Sequence, residues 1–496
     1  MMDPIEYRGV ALAALLLAAI SCTPDADPSP ATRAGLAERG NDAKPRWTLL
    51  ISVDTLRADH LGTYGYDRAT SPVIDALGRE GVVFEDVTST APWTLPAHAS
   101  MLTGLYPSHH GATGFARAMS PHLPTLATTL SGRGYETAAV VNTTHLKPDF
   151  GVVRGFEEYR YVEESVDRVG PSTWVTDQAI EWLQERRAEP GFMFVHYYDV
   201  HASYFSLPKY EQMFTTPYDG VVDGSGKQLY SYLLDEGFAE RCRRNPQAEG
   251  CRTWIADPEF ATTPRIEFDD ADLRRLIELY DAGVRQMDAE IGRLVDFLRR
   301  EDMLDDTLLI LTSDHGDEFL EHGGLLHSRD QYQELLRVPL IMRGPGVGAG
   351  VRIDTPVSLV DIVPTVLALL GEEPLAAVDG LDLSQLWQRD ARSPGREGED
   401  PFRDRPLLAE ASAENLKLAV RRGRYKLHYD RVRGTQELYD LEEDPGERVD
   451  LSQREPAIAA ELRELLQARP GAGSSGEVVE LSPADRQRLE ALGYVD

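Results

Sequence analysis

Cysteine is scarce in this chain, with three among 496 residues. That excludes a scaffold held by many disulfides and leaves at most one internal pair, Cys242 with Cys251, to close a short loop, free thiols being the other reading. Basic side chains are also in deficit: 51 against 82 acidic ones give a formal charge of −31. Such a balance excludes a general affinity for nucleic acid or anionic lipid, so an anionic substrate must be drawn in by a local positive centre. Internal repeats are absent. The apolar stretch at residues 10–20 is too short to span a bilayer comfortably. What the chain does have is length, enough for one large domain and a smaller one.

That apolar stretch ends in AISC, small residues just before Cys22, the pattern of a bacterial lipoprotein signal. Residues 1–22 are therefore expected to be a signal with lipid on Cys22, exporting the protein to the periplasm or cell surface and anchoring it to a membrane. Residues 23–45, rich in Pro, Ala, Asp and Gly without apolar periodicity, read as a flexible linker.

Four apolar, β-rich runs follow, each ending in polar residues: WTLLISVD (47–54), ETAAVVNTTH (136–145), GFMFVHYYDVH (191–201) and TLLILTSDH (307–315). Near-continuous apolar strands indicate a sheet covered on both faces, hence mostly parallel. Between them, 71–81, 175–187 and 270–302 carry helical periodicity, which makes an α/β fold whose ligands bind at the carboxyl ends of the strands. Segment 205–265 reads as an irregular excursion near the substrate mouth. Residues 46–375 are assigned to the main domain and 376–496 to a smaller one, with short alternating runs that predict an antiparallel sheet and a last helix at 483–493.

Two strand ends carry acids, Asp54 and Asp314, and His315 follows the second directly. One strand-end Asp is ordinarily a turn cap; two, with a histidine, point to a divalent cation. The histidine favours zinc or manganese, with calcium and magnesium as alternatives because they prefer all-oxygen shells. Thr94 precedes the helical stretch AHASMLTG, so it reads as a helix N-cap and, without conflict, as a nucleophile that gains from the helix dipole and from a metal at its oxygen.

With these motifs in place the chain resembles the sulfatase branch of the alkaline phosphatase superfamily, over about residues 47–375 and into the tail: DTLRADHLGTYGY, TLPAHASMLTGLYPSHHG, FVHYYDVHASY, TSDHGDEFLEHGG, ELLRVPLIMRGPG, RYKLHYD and ELYDLEEDPGERVDL. The resemblance implies a large mixed, mostly parallel sheet flanked by helices and a smaller C-terminal antiparallel sheet. It implies that Asp54, Asp314 and His315 hold one metal, that Thr94 completes its shell, and that His201 and His327 act on the transferring group or the leaving oxygen. Where sulfatases have CxPxR, with Cys or Ser converted to formylglycine, this chain has Thr94 and His98. Oxidised threonine is a ketone, so the aldehyde hydrate that attacks sulfate does not form, and Thr94 looks like the native nucleophile of phosphodiesterases in the superfamily. His145 falls at the KWH position with Thr143 in place of the lysine. Asn142 in the same run, His98, Asp199 and His322 complete the expected substrate-binding set, Asp199 and His201 being placed on one side by strand alternation. A second metal would need a DxxxH segment, whereas DVH at 199–201 has another spacing; one metal is expected and a second is left open.

The leading expectation is thus a metal-dependent hydrolase or transferase cleaving phosphate mono- or diesters, or phosphonate esters, through a covalent Thr94 intermediate. A sulfuric ester hydrolase is the first alternative, and a non-catalytic surface lipoprotein that binds glycans or lipid headgroups is the second. The expected partner is an anionic ester, a small molecule, glycan or lipid headgroup; oligomeric state is not legible.

Overall fold

The computed structural model describes residues 44–163, 171–233, 244, 266–388, 400–410, 417–468, 476–483 and 485–486. The lipidation signal, Cys242 and Cys251, and most of the expected last helix lie outside these residues. Eight strands form one sheet: β1 (Trp47–Val53), β2 (Val82–Phe84), β3 (Glu136–Val141), β4 (Glu158–Tyr161), β5 (Gly191–Tyr197), β6 (Thr307–Ser313), β7 (Leu340–Arg343) and β8 (Val351–Ile353). Their order is β8-β2-β7-β6-β1-β5-β3-β4. Only β7 runs antiparallel to its neighbours; the other pairings are parallel.

The four long apolar runs form the middle of this sheet, and every residue of β1, β5 and β6 is buried. Helices on both faces explain why these runs do not alternate with polar residues. Along β1, Leu49, Ile51 and Val53 belong to one core cluster and Leu50 to the other, the period-two alternation of a strand between two layers. One layer contains α1 (Pro72–Glu80), α3 (Ser172–Arg186) and the long α4 (Asp270–Arg300); the other contains α2 (Thr94–Thr103) and α5 (Ile362–Leu370). Asp269 starts α4 by accepting the N–H groups of Ala271 and Asp272, which offsets the unpaired donors of a first helical turn.

Four of the eight strands, β2, β4, β7 and β8, have only three or four residues. They are too short to show a period, and tertiary pairing alone reveals them. In the described part of 205–265 the chain is not wholly irregular: helices span Pro208–Phe214 and Gly226–Leu233. Tyr210 and Phe214, one turn apart in the first, pack on Ala282 of α4.

The C-terminal region is an antiparallel meander, β9 (Leu407–Glu410), β10 (Lys417–Arg422), β11 (Tyr425–Asp430) and β12 (Thr435–Asp440), as the alternating runs predict. Helix α6 (Pro456–Gln467) covers it, burying Ala459, Leu462 and Leu466 against Leu418, Val420, Leu427 and Leu438. Each such leucine contributes about 1.5–3 kcal/mol by leaving water. Among the described residues, no helix is long and apolar enough to cross a membrane.

Candidate active site

The register of three adjacent strands builds the site. β1 lies between β5 and β6, and Val53 pairs at once with Tyr197 and Ser313. The next residues, Asp54 and Asp314, therefore leave the sheet side by side at its carboxyl edge, with His315 beside them. All three are fully buried, and one ligand-type atom from each lies within 4.8 Å of the others. His315 Nε2 stands 3.2 Å from Asp314 Oδ2 and 3.7 Å from Asp54 Oδ1.

The remaining polar atoms of this group are already engaged. Asp314 Oδ1 accepts the N–H of Thr55 at 3.3 Å and of His315 at 3.0 Å, and His315 Nδ1 meets the Gly316 carbonyl at 3.0 Å. That contact fixes the tautomer and directs Nε2 inward. Asp314 Oδ2 and His315 Nε2 are buried and make no hydrogen bond among the described residues. Such groups cost about 1–3 kcal/mol each when left unsatisfied. A divalent cation removes that cost, and an oxygen-oxygen-nitrogen donor set suits one. Burial opposes charge on His315, yet Asp314 and Asp54 outweigh it and push the ring up to about 9. Burial likewise opposes ionisation of Asp314, and the neighbouring His315 and His98 hold it below the usual carboxylate range.

Thr94 is the first residue of α2, and Trp93 takes the cap position without a side-chain bond. Its hydroxyl is therefore not used for capping; it donates to Asp54 Oδ2 over a long 3.5 Å. The threonine oxygen thus sits where a helix N-terminus meets the carboxylate pair, a place that favours negative charge on the oxygen and on a group bound beside it.

His201 and His327 form the other wall. Their ring centroids are 4.8 Å apart, and His327 is 4.5 Å from His315. His327 Nδ1 is bound at 2.6 Å by Asp317, a buried carboxylate that also accepts the Tyr204 hydroxyl at 2.7 Å. Burial lowers His201 to about 3 and also lowers His327, against the pull of Asp317 on both. His145 packs between Trp93 at 5.4 Å and Phe150 at 5.6 Å, and burial lowers it to about 3.

Four expected substrate contacts are engaged by the protein itself. His98 is fully buried behind Thr94, with Nδ1 2.8 Å from the Thr94 carbonyl and 3.5 Å from Asp314 Oδ2, and Nε2 2.9 Å from Ser52 Oγ; both nitrogens serve the protein, so it supports the helix start and the Asp314 carboxylate. Asn142, also fully buried, meets His196 at 3.1 Å in the layer behind Asp54. Asp199 turns the other way, accepting Ser172 N and Oγ and Gln286 Nε2, so it caps α3. Strand β5 ends at Tyr197, and beyond it alternation no longer keeps Asp199 and His201 on one side. His322 lines the same 360 Å3 cavity as His327, but its Nδ1 is held by Glu334 at 2.6 Å, its Nε2 by the Glu447 carbonyl at 3.0 Å, and its ring stacks on Tyr332 at 3.6 Å.

Two residues outside the expected set adjoin the site. His196 lies 3.2 Å from Asp54 Oδ2, and a single histidine inside an apolar run gives no sequence signal of its own. Asp317, two residues past His315, offered a signal in the acid-rich TSDHGDE segment.

Comparison with known proteins agrees with this fold. A family model described as Sulfatase matches residues 46–372, and one described as N-sulphoglucosamine sulphohydrolase, C-terminal, matches 321–469. A choline-sulfatase of Rhizobium meliloti (strain 1021) is 28% identical over 447 residues, covering 82% of each chain. The solved structure of BT4656 in complex with its substrate D-glucosamine-2-N,6-O-disulfate superposes with a TM-score of 0.66 at 21% identity, over 86% of this chain and 97% of that one. A phosphonate monoester hydrolase of Agrobacterium radiobacter does so equally, at 0.66 and 21%, over 86% and 95%.

Proposed function

The chain belongs to the sulfatase family, and from that premise we propose that it hydrolyses singly charged esters, sulfuric monoesters first, by attack of Thr94. The observation that carries this reading is the buried Asp54–Asp314–His315 group beside the Thr94 hydroxyl at a helix start. The relatives support the sulfuric ester alternative at least as well as the phosphorus reading that Thr94 suggests. Charge supports a common denominator. Where the family has an arginine and a lysine, His98 and Thr143 stand, and burial disfavours the charged forms of His145, His201 and His327. Few fixed cations suit one negative charge better than the two of a phosphate monoester. Sulfate monoesters, phosphonate monoesters and phosphodiesters all meet that condition, and a sulfated glycan or choline ester is the natural-substrate class the relatives support.

Asp54, Asp314, His315 and Thr94 would hold a divalent ion, zinc or manganese by the histidine, which supplies charge to polarise the ester and stabilise an alkoxide. Thr94 Oγ1 attacks sulfur or phosphorus, its proton leaving toward Asp54 Oδ2; the bond to the leaving oxygen breaks and that oxygen takes up the proton that Thr94 released. His327, with Nδ1–H on Asp317, carries its lone pair on Nε2 and can take the proton of the water that then cleaves the Thr94 ester. That proton ends on Thr94 Oγ1. Export and lipid anchorage through Cys22 belong to the same proposal and rest on residues 10–22 alone.

The test assays the purified protein with nitrophenyl sulfate, phenyl phosphonate nitrophenyl ester, bis-nitrophenyl phosphate and nitrophenyl phosphate, with each metal, beside Thr94→Ala. Turnover of the first three above the fourth, reduced at least about 10³-fold in the variant, is expected. Preference for the doubly charged ester, or a fully active Thr94→Ala, would sink the proposal.

A further inference from the structure

We propose that His196, backed by Asn142, is the positioning residue that aims Asp54 at the divalent cation. This inference rests on the metal reading above. His196 is fully buried on β5, and its register partner on β1 is Ser52, two residues before Asp54. Its Nε2 stands 3.2 Å from Asp54 Oδ2 and its Nδ1 3.1 Å from the Asn142 carboxamide. A carboxylate only accepts, so Nε2 carries the hydrogen. The carboxamide can serve Nδ1 with either of its ends, and Asn142 Nδ2, buried without a hydrogen-bond partner, has that ring nitrogen as a candidate once the amide is turned.

Asp54 has two oxygens, and the structure divides their work. Oδ2 receives His196 and the Thr94 hydroxyl, while Oδ1 is the atom facing His315 Nε2 at 3.7 Å. Of these two contacts to Oδ2, the one from His196 is the shorter, 3.2 Å against 3.5 Å from the Thr94 hydroxyl. Outer groups of this kind fix ligand orientation, and removing one weakens metal binding by about 10–100-fold. The chain neighbours of His196, Val195 and Tyr197, belong to the apolar core on the other face of β5, while His196 itself meets Asp54, Asn142 and, at 4.9 Å, the His98 ring. An aliphatic residue would fit the strand pattern, which is why a hydrogen-bonding role accounts for the histidine better than packing does.

The experiment measures zinc and manganese affinity by competition with a chelator, and the rise in Tm on metal addition, for the wild type, His196→Leu, His196→Gln and Asn142→Ala. Expected are an affinity about 10–100-fold weaker in His196→Leu, a smaller metal-induced Tm rise, and substantial recovery in His196→Gln, whose amide nitrogen takes the place of Nε2. A His196→Leu protein that binds metal as the wild type does, and only melts lower without it, overturns the inference. Should His196→Leu not fold, Asn142→Ala decides: weaker metal affinity upholds the relay and unchanged affinity overturns it. A wild type that binds neither metal would instead strike at the proposed function, so the two failures read differently.

Discussion

Among the described residues, two groups place one histidine and two carboxylates within 4.8 Å: Asp54–Asp314–His315 at the strand ends, and Glu318 and His322 of the hairpin 318–326 with Glu334 of the short helix Gln333–Leu336. They differ in what the atoms already hold. In the second group Glu318 Oε1 accepts the N–H groups of His322 and Gly324 at 2.9 and 2.7 Å, and both nitrogens of His322 are taken by Glu334 and the Glu447 carbonyl. Every one of those bonds closes a local turn or joins the hairpin to the loop after β12. In the first group Asp314 Oδ2 and His315 Nε2 face each other at 3.2 Å and, among the described residues, make no hydrogen bond to any group outside the site. Proximity of ligand-type atoms is therefore common to both, and unmet bonding capacity is what marks a metal centre.

The strongest way to break that comparison is to alter one member of each group. Asp314→Asn should remove bound metal, measured by elemental analysis, and cut turnover by at least about 10³-fold; a variant that keeps one metal per chain would show that the strand-end group is not the centre. Glu334→Gln should leave metal content unchanged and lower stability by about 1–3 kcal/mol in denaturant unfolding, because it strips a partner from a nearly buried ring. Loss of metal there would place an ion in the hairpin group instead.

A finer test uses pH. Burial opposes the charged form of His322, but Glu334 outweighs it and raises the ring above its ordinary value. A raised histidine stabilises the fold fully below the unfolded pKa, about 6.5, and loses that contribution as pH climbs through the folded value. The Tm gap between wild type and Glu334→Gln should then be widest below about pH 6.5 and narrow as the solution becomes alkaline. A gap that widens with pH would mean that Glu334 does not stabilise the protonated ring.

Much of the architecture was legible in the chain. The runs at 47–54, 136–145, 191–201 and 307–315 are apolar throughout because helices cover both faces, and that pattern survives in sequence. The short strands at residues 82–84, 158–161 and 351–353 were not, since three or four residues carry no period. At the site, strand-end acids announce themselves by ending an apolar run. Side chains on the loops beyond do not: Asp199 and His201 are two apart, yet one caps α3 and the other stacks on Tyr198 at 4.3 Å. His98 occupies the position of a family arginine, and only packing reveals that its nitrogens reach the Thr94 carbonyl and Ser52.

The sequence by itself determined the α/β layering, the strand ends that carry Asp54, Asp314 and His315, and the helical stretch that Thr94 opens, because these depend on residue type and on periods of a few residues. Tertiary structure decided which polar atoms remain unpaired, that His196 and Asp317 back the site, and that His322 belongs to a hairpin joint. Those outcomes depend on hydrogen bonds between residues far apart in the chain, which fill some capacities and leave others open, and no local pattern encodes the difference.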